Sequence, residues 1–154
     1  MNRVEPIRDK RKIMAIKNIL KGSERWRDYF LFVAGINLGL RIGDLLRLQV
    51  KHFIDENGTL KERFEIIEEK TKKRNVVKIN RKVKEAFEVV RDKISCYENP
   101  NNYIVYNLRE PGKSISRVQA YRIVRELCDS VGLNNIKVGT HTLRKTWGYH
   151  AHQA

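Results

Sequence analysis

Gly39-Leu40-Arg41-Ile42-Gly43-Asp44-Leu45-Leu46-Arg47-Leu48 is the stretch from which the fold is read. It predicts the end of one helix, a tight corner and a short second helix. Gly39 closes the preceding helix in a left-handed conformation, and Leu45, Leu46 and Leu48 then face a core. Arg41 falls at the corner, where a guanidinium projects from the protein instead of lying along a solvated face. Asp44, three residues on, is within reach to orient it. An arginine held in this way suits a phosphate, because its planar fork donates two parallel hydrogen bonds to non-bridging oxygens. The same residues also fit a basic side chain in an ordinary packing corner. With 32 Lys and Arg among 154 residues, one arginine carries little weight alone.

The whole chain sets the bounds. At 154 residues and 41% apolar it reads as one domain with a hydrophobic core. No apolar run has the length of a membrane span, and Met1-Asn2-Arg3-Val4-Glu5-Pro6 lacks the apolar core of a secretory signal. Cys96 and Cys128 are far apart and match no metal-site spacing, so they read as free thiols in a reducing cytoplasm. The formal net charge of +14 predicts a polyanionic partner bound with salt-sensitive affinity. DNA, RNA and an anionic membrane all satisfy that charge. The membrane ranks last, since no strongly amphipathic basic helix with an aromatic face appears.

Outward from the corner, Ile13, Ile16 and Leu20 recur at helical spacing in a helix from about Ile7 to Leu20. Gly22 is expected to end it, and Ser23 to cap the next helix. Glu24 to Leu38 is apolar almost all round after Trp26, which predicts a central buried helix. Beyond the corner, Phe64–Glu68 and Val76–Ile79 read as the strands of an antiparallel hairpin around the basic turn Lys70-Thr71-Lys72-Lys73-Arg74-Asn75. A strand near Val50 to Phe53 is expected to pair with it, because an isolated hairpin is only marginally stable. Asn80 is a cap for a helix whose face carries Val83, Phe87, Val90 and Ile94. Ser116 and Gln119 form a capping box for a helix expected to bury Val118, Tyr121, Val124, Leu127 and Val131, with Gly132 at its end. Last comes Gly139-Thr140-His141-Thr142-Leu143-Arg144-Lys145-Thr146-Trp147, with Thr140 as cap. His141 and Arg144, three apart on a helix, share a face and can meet one ligand. The fold class is therefore α+β, mostly helical, with a small three-stranded antiparallel sheet.

Three motifs, in this order, resemble the conserved boxes of the tyrosine recombinases, the phage integrase family. Gly-Leu-Arg-Ile followed by an acidic residue and leucines resembles the first box. His141-Thr142-Leu143-Arg144-Lys145-Thr146 resembles the second. Between them, Glu69-Lys70-Thr71-Lys72-Lys73-Arg74-Asn75-Val76-Val77 follows the family's lysine-bearing hairpin. Lys70 takes the lysine position because it closes the first strand; Lys72 and Lys73 are near, and these lysines also fit a solvated basic loop.

The resemblance implies a catalytic domain that acts on double-stranded DNA. In such enzymes a tyrosine hydroxyl attacks the scissile phosphate, giving a 3′-phosphotyrosyl link and a free 5′-hydroxyl, with no metal or other cofactor. Carried over residue by residue, Arg41 and Arg144 clamp the non-bridging oxygens. His141 serves as hydrogen-bond donor or general base, Lys70 protonates the departing 5′-oxygen, and Asp44 holds the first box in place. The family's nucleophile lies well downstream of the second box, beyond this sequence. Tyr149 is a poor substitute: five residues after Arg144 on one helix, it points roughly 140° away. It is expected to pack, as is Trp147. His150 and His152 read as a frayed end, and a metal site made from them with His141 is disfavoured. Residues 1–154 are thus expected to be an incomplete integrase catalytic domain, without its N-terminal core-binding domain and C-terminal tyrosine segment. Such a chain would be monomeric in isolation, in a family that forms tetramers on DNA, and would act in the cytoplasm of a bacterial or phage-infected cell. Two alternatives stay open: a non-catalytic DNA-binding or regulatory protein on the same scaffold, and an unrelated basic RNA-binding domain.

Overall fold

The computed structural model describes residues 3–139 and 141–153. The described residues form six α-helices, Lys10–Gly22 (α1), Trp26–Leu38 (α2), Ile42–Leu46 (α3), Arg81–Arg91 (α4), Arg117–Ser130 (α5) and Thr142–Gln153 (α6), and one hairpin, Arg63–Ile67 (β1) and Arg74–Lys78 (β2). α2 is the centre. Its continuous apolar run leaves no face for water, and Tyr29, Phe30, Leu31, Phe32, Val33 and Ala34 are all buried. α1, α4 and α6 pack around it. The Phe30 ring meets Phe53, Phe87 and Tyr97 edge-on, which ties α2 to α4, to the segment before the hairpin and to the turn after α4. α6 crosses α2 closely at Gly35, where a Cβ would lie 2.5 Å from Leu143 Cδ1. No described helix is long and apolar enough to cross a membrane.

The hairpin pairs Phe64 with Val77 and Ile66 with Asn75. Phe64 and Val77 face the core, while Ile67 and Val76 face solvent. The sheet has two strands, not the three expected. Val50–His52 forms a 3-10 turn instead of a strand. Val50 and Phe53, three residues apart, both point into the core, a helical spacing that a strand's alternation cannot satisfy. The turn is closed by Phe53 N–H to Val50 O at 2.9 Å and by Gln49 N–H to His52 Nδ1 at 2.9 Å. The marginal hairpin is supported instead by this turn, through the Phe53–Phe64 and His52–Phe64 ring contacts.

Two further expectations are corrected. Ser23 closes α1, its hydroxyl donating to Ile19 O at 2.6 Å, and Glu24 follows with φ +55°, so α2 starts at Trp26 after Arg25. α5 buries Ala120, Ile123, Val124, Leu127 and Cys128, while Val118 and Tyr121 are exposed. The buried residues recur at i, i+3, i+4, i+7 and i+8 from Ala120, one helical stripe that leaves Val118 and Tyr121 outside it. The caps at Asn80 and Ser116 are as expected, accepting from Val83 N–H at 3.0 Å and Gln119 N–H at 3.1 Å. The expected cap at Thr140 lies outside the described residues.

Candidate functional site

Gly39 ends α2 with φ +71°, and the chain turns at once into α3, with Arg41 at its start in extended conformation. The corner is packed from outside: a Cβ on Gly39 would lie 2.6 Å from Trp147 Cε2. Glycine is therefore required twice, for the backbone angle and for the indole laid against it. The Gly39 carbonyl accepts Arg144 Nε at 3.1 Å. Both arginines of the two sequence motifs are thus set from one corner.

Asp44 is buried, but its partner is not Arg41. Its carboxylate takes Arg47 Nη2 at 2.5 Å and the backbone N–H of Glu69 at 3.0 Å. It fastens the corner to the end of the hairpin. The carboxylate that meets Arg41 is Glu68, Nη1 to Oε1 at 3.3 Å. Glu68 also accepts Thr71 Oγ1 at 2.6 Å and Asn75 Nδ2 at 3.1 Å. Its backbone closes the turn, with Lys72 N–H to Glu68 O and Glu68 N–H to Lys73 O, both at 2.9 Å. One acidic residue therefore fixes the basic turn and touches the corner arginine. Lys72 adopts φ +60°, the angle that lets so short a turn close.

Lys70, Arg41, Asp44 and His141 line one cleft of about 430 Å³, together with Gly43, Glu69 and Arg117. Lys72 and Lys73 are not among its lining residues. His141 stands just before α6, its carbonyl accepting Lys145 N–H at 2.9 Å. Its pKa falls below the ordinary 6.5, first through partial burial and then through the positive charges of Arg144, Arg41, Lys70 and Arg117. Arg144 is not among the residues lining this cleft; it is held by the Gly39 carbonyl, two residues before Arg41. Arg117, the first residue of α5, pairs with Glu69. Its role was not read from the sequence, although its place directly after the Ser116 cap and the two acids at 68–69 inside a basic run were both visible.

Tyr149 is apart from this arrangement. Its ring packs under Arg8, 5.7 Å from the guanidinium carbon, and edge-on to His150 at 5.0 Å. No tyrosine is among the described residues lining the cleft. His150 is not frayed: its Nε2 lies 2.9 Å from Ile7 O. Among the described residues, no group of three or more His, Cys, Asp or Glu side chains is placed to hold a metal ion. Burial pushes the Cys128 thiol up to about 11, so it is no ready nucleophile either.

A partly screened cleft lined by Arg, Lys and His side chains has the chemistry to pair with an oxyanion. Known proteins share this architecture. The chain is 44% identical to the probable integrase/recombinase YoeC of Bacillus subtilis (strain 168), across 99% of its own length and 77% of that protein. Its fold matches the crystal structure of XerA recombinase with a TM-score of 0.74 at 17% identity, covering 98% of this chain and 52% of that one. It matches XerH site-specific recombinase bound to a palindromic difH substrate with a TM-score of 0.70 at 19% identity, covering 99% and 43%. Lambda integrase bound to DNA gives a TM-score of 0.69 at 16% identity, covering 99% and 52%. The chain thus spans about half the length of these solved recombinases. Residues 8–154 match the sequence profile of the phage integrase family, and with the fold described above this chain belongs to that family, the tyrosine recombinases.

Proposed function

We propose that this chain is the DNA-gripping catalytic domain of a site-specific tyrosine recombinase, acting in DNA integration by transesterification at DNA phosphates. The observation that carries the reading is one cleft lined by Arg41, Lys70, Arg117 and His141, with Arg144 held by the Gly39 carbonyl two residues before Arg41. Arg41 and Arg144 would hold the non-bridging oxygens of one phosphate and stabilise the charge that grows on them in the transition state. Lys70, on the turn fixed by Glu68, would donate a proton to the departing 5′-oxygen. His141, lining the same cleft, would be available as a base or hydrogen-bond donor at that phosphate. The partner is double-stranded DNA, and the net charge of +14 supplies long-range attraction to it.

The position of Tyr149, packed against Arg8 and His150, favours a second reading: a phosphate-gripping scaffold that does not itself cut. One experiment separates the two. The 154-residue chain is incubated with a nicked suicide duplex carrying the attachment core of its own element, and adducts are sought on a denaturing gel. A covalent protein–DNA adduct supports cleavage by a tyrosine within these residues. Salt-sensitive binding without an adduct supports the scaffold reading, and salt-insensitive binding counts against both.

A further inference from the structure

We infer that Arg117 is a further DNA-phosphate-binding residue of this cleft, and that Glu69 is a carboxylate place-holder which occupies it until DNA arrives. The inference rests on the proposed reading of the cleft as a DNA-phosphate site.

The two glutamates of the turn are held differently. Glu68 is partly buried and its carboxylate oxygens meet Arg41, Thr71 and Asn75, so it is anchored. Glu69 has its backbone N–H fixed by Asp44, but its carboxylate pairs with Arg117 at the surface, where the two side chains are 48% and 58% exposed. An ion pair so open to water is weak and readily exchanged. A carboxylate and a phosphodiester present the same acceptor geometry to a guanidinium fork. Arg117 is therefore kept extended toward the cleft without being locked there.

Its location gives the exchange a purpose. A Cβ on Gly43 would lie 2.5 Å from Arg117 Nη2 and 3.1 Å from Glu69 Oε1. The pair rests on the bare backbone of the corner, two residues beyond Arg41. Gly43, Glu69 and Arg117 also line an adjoining cleft of about 380 Å³, with Arg47, Tyr103 and Lys113. The ion pair is the partition between the two clefts. Once Glu69 swings away, Arg117 faces both spaces, as a residue would that holds the backbone phosphate next to the one gripped by Arg41.

The test is equilibrium binding of the full chain to a short labelled DNA duplex over a series of salt concentrations, with thermal melts to confirm folding. Arg117→Ala is expected to weaken binding and reduce the salt slope by about one. Arg117→Lys, which keeps the charge and loses the fork, should restore the slope. Glu69→Gln is expected to tighten binding about threefold at low salt, the size expected of one exposed ion pair, and this gain should vanish in the Arg117→Ala background. A Glu69→Gln gain of equal size in both backgrounds would reduce the effect to bulk charge and overturn the inference. An unchanged slope in a folded Arg117→Ala protein would do the same. Failure of the underlying reading looks different: Arg41→Ala and Arg144→Ala would then leave affinity and slope unchanged, whatever Arg117 does.

Discussion

Arg144 Nε donates to the carbonyl oxygen of Gly39 at 3.1 Å, joining positions 105 residues apart in the chain. The second motif's arginine is thus aimed by the backbone of the first. Gly39→Ala tests this link. An alanine would have to hold φ +71° with its Cβ against the Trp147 ring, at a cost of about 2 kcal/mol. The expected result is a lower denaturation midpoint together with weaker DNA binding, as the displaced corner carries the residue-39 carbonyl away from Arg144. Trp147→Ala in the same background should recover part of the stability by clearing the space.

The anchored and exchangeable glutamates should respond in opposite directions. Removing the Glu68 carboxylate as Glu68→Ala takes away a negative charge, which on charge alone would tighten DNA binding. It also unseats Arg41, Thr71 and Asn75. We expect affinity to fall about threefold, where Glu69→Gln raises it. A titration of both variants against one duplex reads the contrast directly; tighter binding by Glu68→Ala would show that Arg41 needs no such support.

His141 should give binding a pH dependence. Partial burial and the charges of Arg144, Arg41, Lys70 and Arg117 lower its pKa below 6.5 in the free protein. A bound phosphate would offset those charges, so the pKa in the complex is higher than in the free protein. Binding then takes up a proton, and affinity strengthens as pH falls through the window between the bound and free values. Dissociation constants measured across that window should show this rise for the native chain and a smaller one for His141→Gln. In the absence of DNA the sign is reversed for folding. The unfolded chain protonates first, so stability falls as pH drops below 6.5 toward the lowered value.

Thr146 is buried, accepts Ile7 N–H at 2.9 Å and donates to Thr142 O at 2.7 Å. Thr146→Val keeps the shape and leaves the Ile7 N–H without its acceptor, at a cost of about 1–3 kcal/mol. Chemical denaturation should show an earlier midpoint with an unchanged slope.

The parts legible in sequence are those where one residue type has one physical use. Gly39 at a left-handed corner, Asn80 and Ser116 as caps, and the alternating Phe64 and Val77 strands are of this kind. The rest depends on proximity that a linear pattern does not carry. Glu68 and Glu69 look alike as solvated acids, and only the folded turn makes one an anchor for Arg41 and the other a partner for Arg117. Asp44 is expected from its spacing to orient Arg41, but its bonds run to Arg47 and the Glu69 N–H, which the fold brings to it from the hairpin turn. Val50 and Phe53 were read as a strand from their composition, when their spacing by three was the better signal.

The segment before α1 is strapped along the last helix. Lys145 Nζ reaches Val4 O, Thr146 receives Ile7 N–H, His150 meets Ile7 O, and Tyr149 lies under Arg8. Glu5 is joined to Lys137 on the way into that helix. These contacts act as a mechanical coupling. The N-terminal strap and α6, which carries Arg144, are therefore tied to move as one body.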